Sequence, residues 1–291
     1  MNIIMYHYIR PKENSKLRYL DLEDFKIQLD FFEKKFGFLS IDEFSHNILN
    51  KINSDKVLLT FDDGLKDHYE YVLPELVKRK IFGFFFIPSA IIDGGKVLNV
   101  HKIHHLLSLI DSNKLLAVIK EKIADASILN TILDEEIYSY SQYEKNELII
   151  KKLLNYSLRY DQSNAITEEL LSEFNLGTTL FDSLYLKEKE ISELQDFGQI
   201  IGSHAFDHQV LSSMSEKDQM FQIKHSLDNL QKYMPPNLKT FCYPYGYKMS
   251  YDKKTLTILD ELKFDFAFVF DNKKNIHFKK LELSRIDCNK F

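Results

Sequence analysis

Thr60-Phe61-Asp62-Asp63-Gly64 sets two carboxylates side by side directly after an apolar run. Asp-Asp-Gly alone is ordinarily an acidic helix-capping turn. At the carboxyl end of a buried strand, where parallel α/β folds gather functional residues, paired carboxylates are costly unless something uses their charge. A second set, Gly202-Ser203-His204-Ala205-Phe206-Asp207-His208, also follows an apolar run. His-x3-His brings two imidazoles close enough to share one metal ion. His101, His104 and His105 form a comparable cluster, but within a helical stretch, where packed or solvated histidine is the ordinary explanation. The pair at 204 and 208 is preferred because an acidic turn on another strand end can complete its ligand set. One carboxylate with two imidazoles leaves coordination positions open, as catalytic rather than structural metal sites do. A third set, Phe241-Cys242-Tyr243-Pro244-Tyr245-Gly246, reads as a turn whose proline fixes direction and whose glycine admits close approach of the main chain.

These sets need strands to carry them, and the chain supplies them. Asn2–Ile9 is apolar and β-rich. Leu22, Phe25, Leu29, Phe32 and Phe36 recur at helical spacing before Gly37. Ser40-Ile41-Asp42-Glu43 has the form of a capping box. Lys56–Phe61 suits a buried parallel strand, a helix runs from Leu73 to Lys80 with Pro74 near its start, and Gly83–Pro88 is a third strand. Residues 99–174 then read as helical throughout, with no glycine or proline. Alternation resumes after Leu186: a strand into Gly202, a helix opened by Ser215, a strand at Thr240–Tyr243, a helix at Tyr251–Leu262, and strands at Phe266–Phe270 and Leu281–Ile286. The pattern predicts one α/β domain, residues 1–98 and 175–291, carrying a helical insertion at 99–174 of unassigned role.

Composition narrows the class. Acidic residues exceed basic ones, 43 to 38, for a net charge of −5, which argues against nucleic acid as a partner. Two cysteines, Cys242 and Cys288, cannot make a disulfide framework. No apolar run reaches the roughly 18–20 residues of a membrane span, and MNIIMYHYIR lacks a signal peptide's features, so the expected location is the cytoplasm. Peripheral contact with a membrane surface stays open.

Together and in this order, the three sets resemble the polysaccharide deacetylase family (the NodB-homology group, carbohydrate esterase family 4). Thr60–Gly64 matches its first motif in full, Ser203–His208 its second, and Pro244-Tyr245 the end of its third. Met5-Tyr6-His7 and Leu283-Ser284-Arg285-Ile286 look like the two ends of one subgroup. The resemblance implies a distorted (β/α) barrel and a metal-dependent hydrolase that removes the N-acetyl group from an acetamido sugar in a saccharide, glycolipid or glycan precursor. It implies that Asp63, His204 and His208 bind one divalent metal. Zinc is the default for that donor set, with cobalt, nickel, iron or manganese compatible. Asp62 would be the base that takes a proton from metal-bound water, and the backbone N–H of Tyr245 would help bind the oxyanion.

Two departures from the pattern matter. Cys242 stands where well-studied members carry an arginine that orients the catalytic aspartate. Arg285 on the last strand is the expected substitute, against the alternative of a surface ion pair. No histidine follows the third motif in the expected context, since His277 lies in an unmatched polar stretch. His7 is the candidate acid for the leaving amine, against the alternative of a buried structural histidine. With no tryptophan in the chain, sugar stacking falls to Tyr243, Tyr245 and Tyr247. A helical insertion roofing the cleft would favour a short or lipid-linked saccharide, although it could equally serve as an oligomer interface. The reading from another class is a catalytically silent, metal-containing carbohydrate-binding protein.

Overall fold

The computed structural model describes residues 1–92, 96–123, 125, 127–128, 138, 143–176, 181–182, 184–275 and 278–291. Nine strands are defined among them: β1 (Asn2–Tyr6), β2 (Ile9–Arg10), β3 (Leu20–Asp21), β4 (Val57–Asp62), β5 (Gly83–Ile87), β6 (Ile200–Ser203), β7 (Thr240–Cys242), β8 (Phe266–Phe270) and β9 (Leu283–Asp287). Seven close into a barrel in the order β1-β4-β5-β6-β7-β8-β9, with every pairing parallel. Closure is made by β9 on β1, where Ile4 faces Ile286 and Met5 faces Asp287. The fold is the α/β barrel expected. The two-residue pair β2–β3 is an addition that strand patterning is too coarse to reveal.

Period-two alternation decides what each strand turns inward. Phe84 and Phe86 on β5 meet Phe268 on β8, with ring centroids 5.4 and 5.0 Å away. Strands so far apart in the sheet order touch only across the barrel, so these rings fill its interior. Leu58, Cys242 and Leu283 belong to the same buried cluster. Phe61 and Phe85 alternate outward and stack with Tyr6 and each other beneath helix α1 (Leu22–Lys35), whose Phe25 meets Tyr6 edge-on. Helix α2 (Ile41–Leu49) opens with the Ser40/Glu43 capping box and sets Phe44 against Phe84 and Phe266 near the amino ends of their strands. That plug leaves the carboxyl ends, where the motifs lie, for function.

The expected helix after the first motif is α3 (Leu73–Arg79), with Pro74 in its first turn and one π-helical turn, His68–Val72, ahead of it. Among the described residues of the 99–174 stretch, four α-helices follow: α4 (Asn99–Leu109), α5 (Ser112–Lys122), α6 (Lys145–Lys152) and α7 (Tyr160–Glu173). Then come α8 (Glu188–Asp196), α9 (Glu216–Leu230, capped by Ser215) and α10 (Lys253–Glu261, capped by Asp252).

The chain forms two compact units. One comprises Met1–Glu13, Tyr19–Lys96 and Ser183–Phe291 and contains the barrel; the other comprises Asn14–Arg18 and Val97–Asp182. In the second unit α4 is tied to α7 by Asn99, which donates to Ser163 Oγ at 2.8 Å and accepts from Thr167 Oγ1 at 2.6 Å. Lys102 is buried there and pairs with Glu168. His101 and His105 are buried on α4.

Candidate metal and catalytic site

Asp62 is the last residue of β4 and follows the inward alternation of Leu58 and Thr60. Asp63, one residue on, adopts φ 78°, and its carboxylate meets both imidazoles of the second motif. Its Oδ1 lies 3.5 Å from His204 Nε2 and 3.4 Å from His208 Nε2. Donor atoms of the three side chains lie within 4.8 Å of one another, and all three residues are buried. Ligands about 2.0–2.1 Å from a shared tetrahedral centre sit about 3.3–3.4 Å apart, so these separations fit a common ion.

The donor chemistry fits as well. His204 Nδ1 donates to the Cys242 carbonyl, 2.7 Å away, which can only accept, and Nε2 is the ring nitrogen left to face Asp63. A backbone acceptor behind a ligating histidine fixes its tautomer and its ring. Two imidazoles and one carboxylate are a set that borderline divalent ions such as zinc accept.

Asp62 does different work. Arg285 Nη1 donates to its Oδ1 at 2.7 Å, and the two side chains are 1% and 2% exposed. Arg285 also reaches Thr60 Oγ1 at 3.3 Å and the Val269 carbonyl at 3.4 Å, which compensates part of the cost of burying a guanidinium. The arginine is therefore interior and not part of a surface pair. Burial pushes the Asp62 carboxyl up, but Arg285 and His204 pull it down further, and it rests below the usual carboxylate range. The Cys242 thiol donates weakly to Asp62 Oδ2 at 3.6 Å; burial raises its pKa, which keeps it a thiol. His7 Nε2 lies 3.8 Å from the same oxygen with its side chain 39% exposed, so it is not a buried structural histidine.

The third motif divides. Tyr245 (φ 62°) packs its ring 4.7 Å from that of His208, and burial beside Asp63 and Asp207 raises its phenol, which stays protonated. Tyr247 sits edge-on to Phe270 and is partly exposed. Tyr243 corrects the expectation of a stacking platform. It is fully buried, stacks on Tyr251 and donates its hydroxyl to the Leu281 carbonyl at 2.7 Å, so its ring belongs to the core. Its residue number is even-spaced with Tyr245 and Tyr247, but the turn at Pro244 breaks the alternation. His277 lies outside the described residues.

Asp63, Ala205, His208 and Tyr245 all have φ between 59° and 78°. Left-handed backbone at non-glycine residues costs about 1–3 kcal/mol each and clusters at functional sites. The sequence reading did not single out what braces these turns. Asp67 and His68 fasten the His7 segment, Asp67 through a bidentate bond from Arg10 (3.0 Å twice) and His68 by donating Nε2–H to the His7 carbonyl at 2.9 Å. Proximity to the first motif was the available signal for both.

Residues 164–267 match the family model described as polysaccharide deacetylase. Over that stretch the chain is similar to polysaccharide deacetylases. The matched stretch holds the second and third motifs, and the first lies outside it. No curated protein matches. Among solved structures, the deacetylase PplD of Streptococcus pyogenes, determined with acetate, is 19% identical over 99% of this chain and 91% of that one, with a TM-score of 0.61. IcaB of Ammonifex degensii is 16% identical over 98% and 90%, TM-score 0.59. A de-N-acetylase of Aggregatibacter actinomycetemcomitans is 11% identical over 98% and 93%, TM-score 0.56. At these identities the likeness is one of fold: the closed parallel barrel is that of deacetylases. Among the described residues no helix is long and apolar enough to cross a membrane.

Proposed function

We propose that the protein is a metal-dependent N-deacetylase of an acetamido sugar. The convergence of Asp63, His204 and His208 beside a buried Asp62–Arg285 pair carries the reading. Asp63, His204 and His208 hold one divalent cation, zinc by default. When bound, such a cation polarises the amide carbonyl and lowers the pKa of a water molecule. Asp62, kept ionised and in one rotamer by Arg285, accepts the proton of the attacking water, a contribution of roughly two to four decades in rate. The water oxygen adds to the carbonyl carbon, and the Tyr245 N–H donates to the oxygen that becomes negative. His7, partly exposed beside Asp62, gives its proton to the sugar nitrogen as the C–N bond breaks, releasing acetate and a free amine. Tyr245 and Tyr247 offer rings to the sugar. Should the substrate be lipid-linked, a membrane surface becomes the place of action.

The division of labour between the carboxylates tests this reading. Asp62→Asn is expected to keep the metal and lose nearly all turnover, whereas Asp63→Asn weakens metal binding itself. Equal loss of metal from both variants would contradict the assignment.

A further inference from the structure

The second-motif loop holds two non-glycine residues in the left-handed region, Ala205 (φ 60°) and His208 (φ 59°), so something outside it must over-determine its shape. Gln222, in the middle of α9 and 4% exposed, meets the loop at three points. Its Oε1 accepts from the backbone N–H of both Phe206 and Asp207 at 3.2 Å, and its Nε2 donates to Asp207 Oδ1 at 2.8 Å. Asp207, 3% exposed and adjacent to His208, accepts further from Gln209 at 2.9 and 3.0 Å and from Lys96 at 2.9 Å.

We propose that Gln222 is a positioning residue for the metal site: it acts through Asp207 and the 205–207 backbone to fix the His208 imidazole opposite that of His204. This rests on the metal-site reading above and adds a helix residue far from every motif. An amide suits the role because one end must accept from two N–H groups while the other donates to a carboxylate. Glutamate lacks the donor and would face Asp207 with like charge. Leucine would strand two buried N–H groups and loosen the turn.

Zinc titration of the full chain, read as a dissociation constant, tests it alongside the absorption spectrum of the cobalt form. Gln222→Leu is expected to stay folded by circular dichroism and weaken zinc about 10–100-fold, the usual effect of losing a group that orients a ligand. Its cobalt spectrum is expected to shift as the His208 geometry relaxes. Gln219→Leu, on the same helix but bonded to Thr255 and Asp252, is the control for general damage and should leave both readouts unchanged. Should Gln222→Leu fail to fold, Gln222→Glu replaces it, with weakened zinc again expected. A folded Gln222 variant binding zinc as the parent does, or weakened no more than Gln219→Leu, overturns the proposal. A parent chain that binds no zinc would instead overturn the metal-site reading, a result visible before any Gln222 variant is made.

Discussion

At the scale of single residues, Asp62 is the most constrained group in the protein. One oxygen takes the Arg285 guanidinium, the other faces Cys242 and His7, and the residue is only 2% exposed. Truncating one member of a buried pair leaves an uncompensated charge, so Arg285→Ala is expected to cost about 3–5 kcal/mol of stability besides most of the turnover. Urea unfolding measures the loss of stability. His68 supplies one pH dependence, opposed by Asp67, whose carboxyl burial raises to about 6 so that its contribution to stability falls as pH rises through that range. Burial pushes the His68 imidazole down to about 4 from the ordinary 6.5, against a smaller upward pull from the His7 carbonyl. The unfolded chain therefore takes up this proton first on acidification. Stability is complete above the ordinary value and is lost as pH falls from 6.5 towards 4, by about 3 kcal/mol from this group. His68→Gln, which keeps a donor for the His7 carbonyl and does not titrate, should shift the slope of the unfolding midpoint between pH 6.5 and 4 towards greater stability at acid pH; an unchanged slope would contradict the assignment. The proposed ligands and Asp62 were legible because residue type and spacing report chemistry directly. Gln222 was not, since nothing local distinguishes one helix glutamine from another.

At the scale of elements, the site is made by strand ends. β4 and the turn after it deliver two carboxylates, β6 and β7 deliver the imidazole and tyrosine turns, and β9 returns beside β1 to place Arg285 against Asp62. The turn after β7 depends on Gly246, whose φ is 70° and whose added Cβ would meet Phe270 N at 2.8 Å and Phe270 Cβ at 2.9 Å. Gly246→Ala is expected to destabilise by about 1–3 kcal/mol and to raise KM by displacing Tyr245; urea midpoints and steady-state kinetics check both. Strands and caps were readable where local chemistry dictates them: the Ser40/Glu43 box and Ser215 opening α9. The π turn at His68–Val72 and the β2–β3 pair were not readable, because tertiary bonding holds them. The burial of Tyr243 was misread for a related reason: which side of a turn a ring takes depends on the strand packed beneath it.

At the scale of the whole molecule, a closed barrel lets residues 7, 62 and 285 share one site although they lie near the start, in the first quarter and at the end of the chain. Only closure explains why Arg285 can stand where Cys242 leaves no charge. The family model reaches 164–267 alone, yet the fold likeness to deacetylases spans nearly the whole chain, so the first motif is supported by geometry more than by the match. The helices of the second unit were legible as helices, but their role was not, because patterning reports burial and not partners. The central claim is hydrolysis of an acetamido sugar at this metal site. Amine release from acetylated chitooligosaccharides, followed in one preparation before chelation, after chelation and after readdition of zinc, tests it most directly. The account predicts release that chelation abolishes, zinc restores, and Asp62→Asn lacks throughout while still binding zinc. Release that survives complete chelation, or that Asp62→Asn retains, would contradict it.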